Sequence, residues 1–167
     1  MNEYSLWLEP KGEEYKQLKN VIIGLSTETQ SPAFDPHVTL LGGITMPIEE
    51  ITKKMKILMQ GGKPITLSFI TVQSSKSYYK SIFLKCKKTR ELMDLNYKAQ
   101  KIFSISLEYH PHLSLLYSDA PKIIKEKFLE EIGYSPILSL NFRADSISLW
   151  HARGTADQWQ KITEFCF

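Results

Sequence analysis

Two stretches of this chain read as one strand written twice: His37-Val38-Thr39-Leu40 inside "DPHVTLLGG" and His112-Leu113-Ser114-Leu115 inside "HPHLSLLYS". Side chains alternate along a strand, so in each tetrapeptide the imidazole and the hydroxyl share one face while the aliphatic pair occupies the other. A strand of this kind demands an apolar layer beneath it and polar space above it. Chance alone would give the pattern to two of four histidines in under about one chain in a hundred.

The segments around the two strands repeat as well. Alternation predicts a strand over 4–9, and Leu18, Val21, Ile22 and Leu25 then fall at helical spacing. "HVTLLGG" reads as a short strand ended by its paired glycines. A second helix follows, opened by Pro47, carrying Ile48, Ile51, Met55 and Leu58 and stopped by Gly61-Gly62. "PITLSFITVQ" and "YYKSIFLKC" read as two strands of a hairpin joined by "SSKS". A third helix fits 89–103 through Leu92, Leu95, Ala99 and Ile102, and leads to the second histidine strand. A fourth helix (Ile124, Phe128, Ile132), the strand-like "ILSLNFRADSISLWHA" and a last strand "QKITEFCF" complete the chain. The expectation is an internal duplication with a period near the 75 residues that separate His37 from His112. Helices mixed with hairpin-joined strands indicate an α+β fold with largely antiparallel sheet.

The length of 167 residues and an apolar content of 43% suffice for one domain, 1–167, with its own core and no need of metals or staples. A net charge of +3 and the absence of basic runs argue against tracking along a polymer, so any nucleic-acid contact should be local, to one phosphate or one end. Two cysteines, Cys86 and Cys166, cannot form a framework and lack zinc-ligand spacing, and both are expected to be buried free thiols. The opening "MNEYSLWLEP" lacks a basic region followed by an apolar one, and no stretch approaches 18 uninterrupted apolar residues. A cytoplasmic protein is the expectation.

Two strands lying side by side would bring two imidazoles and two hydroxyls to one cleft. That set suits cleavage of a phosphodiester without a metal or other cofactor. One neutral imidazole takes a proton from water, one imidazolium gives a proton to the leaving oxygen, and histidine supports both states near neutrality. Thr39 and Ser114 would hydrogen-bond the non-bridging oxygens. Which histidine is base and which is acid is left open by the sequence.

The pair of H-x-[ST]-x motifs resembles the two-histidine phosphoesterase superfamily, and the chain is most similar to its cyclic phosphodiesterases of plant and yeast type. "YSLWLEP", "SPAFDPHVTLLGG", "YHPHLSLLY", "FRADSISLW" and "WQKITEF" carry the likeness in order and spacing over nearly the whole chain. The resemblance implies a bilobal α+β fold of two pseudo-symmetric lobes with outer helices around a central cleft, and no metal requirement. It implies substrates that are cyclic phosphates on ribose: ADP-ribose 1″,2″-cyclic phosphate, an end product of tRNA splicing, and nucleoside 2′,3′-cyclic phosphates, opened to the 2′-phosphate. It also puts Trp7, Tyr79 and Tyr117 around the nucleoside and phosphate, with core packing as the competing role for each. The implied partner is a small cyclic-phosphate nucleotide bound by a monomer. RNA ends, or 2′,5′-linked oligoadenylates, are the alternative substrates, and a non-catalytic nucleotide- or RNA-binding module is the alternative class.

His110, two residues before His112, departs from the family pattern. A His110–His112 metal pair is one reading, but no third ligand is apparent, and a solvated residue at the cleft rim is preferred. His151, Arg143 and Arg153, from the late strands, are further candidates for a phosphate contact, with solvation as their default.

Overall fold

The computed structural model describes residues 3–167, which form eight strands, four α-helices and three short 3₁₀ turns. The order is β1 (Tyr4–Leu8), α1 (Gly12–Thr29), β2 (Val38–Ile44), α2 (Ile48–Met59), β3 (Ile65–Ser74), β4 (Ile82–Cys86), α3 (Arg90–Phe103), β5 (His112–Leu116), α4 (Lys122–Gly133), β6 (Asn141–Ala144), β7 (Ser146–His151) and β8 (Gln160–Cys166). All strand pairs are antiparallel, in the spatial order β6-β3-β4-β5-β2-β1-β7-β8. The curled sheet is two four-stranded halves that meet where β5 lies beside β2, through the registered pair Val38–Leu113.

A pseudo-twofold axis passes through that seam. It relates β2 to β5, β1 to β4, β3 to β7 and β8 to β6, so the duplication read from the two tetrapeptides is the architecture itself. The halves are laced together, because α1 packs on β5 and α3 on β2, each helix covering the histidine strand of the opposite lobe. Alternation decides which residues those helices bury. Leu6 and Leu8 of β1, Val38 and Leu40 of β2, and Leu113 and Leu115 of β5 are fully enclosed with Leu18, Ile22, Phe103 and Phe128. At about 25 cal/mol for each Å² of apolar surface removed from water, each such side chain contributes roughly 1.5–3 kcal/mol.

Several local expectations are corrected. Gly42-Gly43 do not end β2: the strand runs on to Ile44, and Gly43 at φ +71° forms a bulge where β1 steps from Tyr4–Ile44 to Leu6–Leu41. Only glycine enters that region without cost, so the pair prolongs the strand while bending it. Residues 78–80, read as the start of a strand, form a 3₁₀ turn instead. The stretch 137–152 is not one unit. It divides at Asp145 into β6, on one edge of the sheet beside β3, and β7, in the other lobe beside β1. Cys86 is buried as expected, whereas Cys166 is exposed. Among the described residues no helix is long and apolar enough to cross a membrane.

Candidate active site

The face of the sheet opposite the helices carries the polar members of each alternation. Ser5 and Trp7 from β1, His37 immediately before β2 and Thr39 within it, and His112 and Ser114 from β5 line one cavity of about 190 Å³, closed by Tyr79, Tyr117, Ala152 and Trp159. Continuing the Val38–Leu113 register by one residue each way sets His37 opposite Ser114 and Thr39 opposite His112. Each imidazole thus faces the other motif's hydroxyl across the seam.

Both imidazoles are oriented by the same device. The Nδ1–H of His37 donates to the Asp35 carbonyl at 2.7 Å, and that of His112 donates to the His110 carbonyl at 2.8 Å. A histidine bonded this way presents Nε2 as its proton-exchanging atom. Asp35 is itself fixed, its Oδ1 accepting from Tyr15 at 2.7 Å and from Lys19 at 2.9 Å. Burial works against that carboxylate, but the Lys19 and Tyr15 hydrogen bonds hold it below the ordinary range.

The two rings differ in exposure. Trp7 stacks on His37 with centroids 3.5 Å apart and planes 6° apart, while Phe34 and Trp159 present their edges to it. Burial pushes the His37 pKa down from 6.5 to about 4, and the nearby His112 adds to the effect. His112 is half-buried, touched edge-on by Phe83. Its pKa is lowered by burial and by Lys80.

The hydroxyls differ too. Ser114 donates from Oγ to the Tyr79 carbonyl at 3.0 Å. No hydrogen bond of the Thr39 hydroxyl is found among the described residues, while the Thr39 carbonyl accepts from Tyr109 at 3.1 Å. Next to it, the Leu40 carbonyl accepts from buried Asn96 of α3 at 2.8 Å. Side chains of the second repeat therefore fix the histidine strand of the first.

The cavity gathers all seven residues expected at the site, but the three aromatics do different things. Trp7 is enclosed between His37 and Trp150, whose centroid lies 4.2 Å from its own, and it donates to Ser5 at 2.8 Å. With both faces occupied, it offers no stacking platform. Tyr117 stacks on Phe34 at 3.7 Å and is 3% exposed, whereas Tyr79 is half exposed and lies roughly parallel to Trp159 at 6.1 Å. Sequence reading missed Trp159 and Ser5 as lining residues. Ser5 was recoverable, since it shares a face with Trp7 in "YSLWL"; Trp159 was not, because only folding brings the turn before β8 to the cavity. His151, Arg143 and Arg153 are absent from the lining. His110 is exposed and likewise absent from the lining, with Nε2 3.0 Å from Glu108, and no group of three or more metal-ligating side chains occurs among the described residues.

Residues 1–152 match the family described as cyclic phosphodiesterase-like protein. A cyclic phosphodiesterase of Arabidopsis thaliana is 29% identical over 151 residues, covering 87% of this chain and 83% of the plant protein. A 2′,3′-cyclic-nucleotide 3′-phosphodiesterase of Kluyveromyces lactis is 32% identical over 136 residues, 69% of this chain and 64% of the yeast protein. The fold is that of E. coli LigT, solved with 3′-AMP, at a TM-score of 0.67 and 12% identity, covering 99% of this chain and 98% of LigT. The chain is a hydrolase belonging to the cyclic phosphodiesterase-like protein family, with the fold of the two-histidine phosphoesterases.

Proposed function

We propose that this chain, as a single domain over 1–167, hydrolyses cyclic phosphates on ribose without a metal, with His37 as general base and His112 as general acid. The observation that carries the reading is the convergence of both imidazoles and both hydroxyls on one cavity, with both Nδ1 atoms held by carbonyls. The unequal burial of the rings supports the division of roles. His37, pushed down to about 4, stays neutral at neutral pH and keeps a lone pair on Nε2. His112 is the less enclosed ring, and an anionic phosphate between the two favours the proton it must donate.

Water attacks phosphorus and gives its proton to His37 Nε2. In a nucleoside 2′,3′-cyclic phosphate the phosphorus bond to the 3′ oxygen breaks, and that oxygen takes the proton from His112 Nε2, leaving a 2′-phosphate. The pair then exchanges its proton with solvent. Thr39 and Ser114 donate to the non-bridging oxygens, Ser114 by turning its hydrogen from the Tyr79 carbonyl. The half-exposed Tyr79 and Trp159 flank the nucleoside at the mouth. The yeast relative's name, a 3′-phosphodiesterase, supports this regiochemistry, and the small cavity favours compact substrates: ADP-ribose 1″,2″-cyclic phosphate and nucleoside 2′,3′-cyclic phosphates. Incubation with each class in EDTA, followed by phosphorus NMR, tests the reading. The expected product is a ring-opened phosphate monoester, which from a nucleoside 2′,3′-cyclic phosphate is the 2′-phosphate; an unchanged cyclic phosphate in both classes, or turnover that EDTA abolishes, contradicts it.

A further inference from the structure

Sharing His112 with the reaction cavity is a second and smaller one of about 140 Å³. Lys80, Lys85 and Lys88 line it, with His110, His112 and Gln73 among the other walls. No carboxylate is among the described residues that line it, and Glu108, in an adjoining hollow, is bonded to His110. Four lysines elsewhere, Lys11, Lys19, Lys127 and Lys161, each have a carboxylate oxygen within 3.1 Å. Among the described residues, Lys80, Lys85 and Lys88 form no such ion pair. Lys80 instead lies over the Phe83 ring, 4.4 Å from its centroid. Like charges gathered around a concavity repel one another unless an anion joins them.

We propose that this lysine cavity binds a second phosphate group of the same substrate. The inference rests on the reading of the reaction cavity given above, because His112 lines both spaces and one molecule anchored at the histidines extends past it into the lysines. Three ammonium groups suit a phosphate by charge rather than by a fixed fork. Two sources supply this chemistry: a phosphate elsewhere on the same nucleoside, or the next phosphodiester of an RNA end. A net charge of only +3 does not reveal such a site, since the cluster is assembled from the turn at 78–80, from β4 and from the segment before α3.

The test is calorimetric titration of the intact protein with adenosine 2′-phosphate, adenosine 2′,5′-bisphosphate and a dinucleotide ending in a 2′-phosphate. At least one two-phosphate ligand is expected to bind about tenfold tighter than the monophosphate, and which one gains identifies the source. Its affinity should also fall more steeply with salt. Substituting Lys85→Gln and Lys88→Gln, both exposed, should erase the gain. Equal affinities for all three ligands, or a gain that survives the double substitution, overturns the lysine site and leaves the reaction cavity's reading intact. Failure of every ligand to bind contradicts both.

Discussion

The Trp7 indole lies flat on the His37 imidazole, 3.5 Å between centroids, and Trp150 covers the other face of the indole. The stack excludes water from one histidine and not from its counterpart. A pseudo-symmetric pair of motifs is thereby made chemically unequal, which is what an acid and a base acting together require.

Loosening the stack should raise the pKa of His37, since burial is the main cause of its depression. In the unmodified protein, kcat/KM should rise with pH through about 4 as His37 loses its proton. In Trp7→Phe that acidic limb moves upward, toward the 6.5 of an exposed imidazole. An acidic limb that stays in place would show that His37 is not the base.

The same depression makes stability depend on pH. An unfolded imidazole titrates near 6.5 and the folded one near 4, so the unfolded chain takes up the proton first as pH falls. The contribution, roughly 3 kcal/mol, is complete above 6.5 and is withdrawn between 6.5 and about 4. Glu164, held at about 2 by its bonds to Lys11 and Ser146, loses its contribution only at lower pH, below the ordinary 4.5. Thermal unfolding of His37→Gln should show a flatter decline from pH 7 to pH 4.5 than the parent. Parallel declines would contradict the assignment.

The hydroxyls should respond differently to removal. Thr39→Val is expected to lower kcat about 10²-fold with little change in Tm, because its hydroxyl has no hydrogen bond to lose among the described residues. Ser114→Ala should lower both, since it also releases the Tyr79 carbonyl and the turn at 78–80. Identical profiles for the two variants would remove the distinction drawn here.

Asn96→Ala tests the bracing of β2. It strands the buried Leu40 carbonyl, at a cost of about 1–3 kcal/mol, measurable by urea unfolding. A change below about 0.5 kcal/mol would mean that the bond does not support β2.

Much of this was legible in the sequence, for a physical reason. Wherever a strand has one face under helices, its alternation is forced, and "YSLWL", "HVTL" and "HLSL" therefore disclose which residues reach the cleft. The helices announced themselves by their apolar stripes. What local pattern could not disclose was pairing at a distance. β6 and β7 read as one run although they end in opposite lobes, and the Trp7 stack arises from β1, β7 and the His37 strand meeting in space. Gly42-Gly43 misled because a glycine pair signals a turn more often than a bulge within a strand. The three lysines of the second cavity stand within residues 80–88, and what the sequence does not disclose is that the His110–His112 segment walls them in.

The most direct measurement is the rate of nucleoside 2′,3′-cyclic phosphate opening, in EDTA, for the parent, His37→Gln, His112→Gln and the double variant. Each single substitution should lower kcat by about 10²- to 10⁴-fold while a 2′-phosphate still binds, and the double variant should be scarcely slower than the worse single one, because the two rings serve one proton-transfer step. A single variant that retains the parental rate would contradict the two-histidine account.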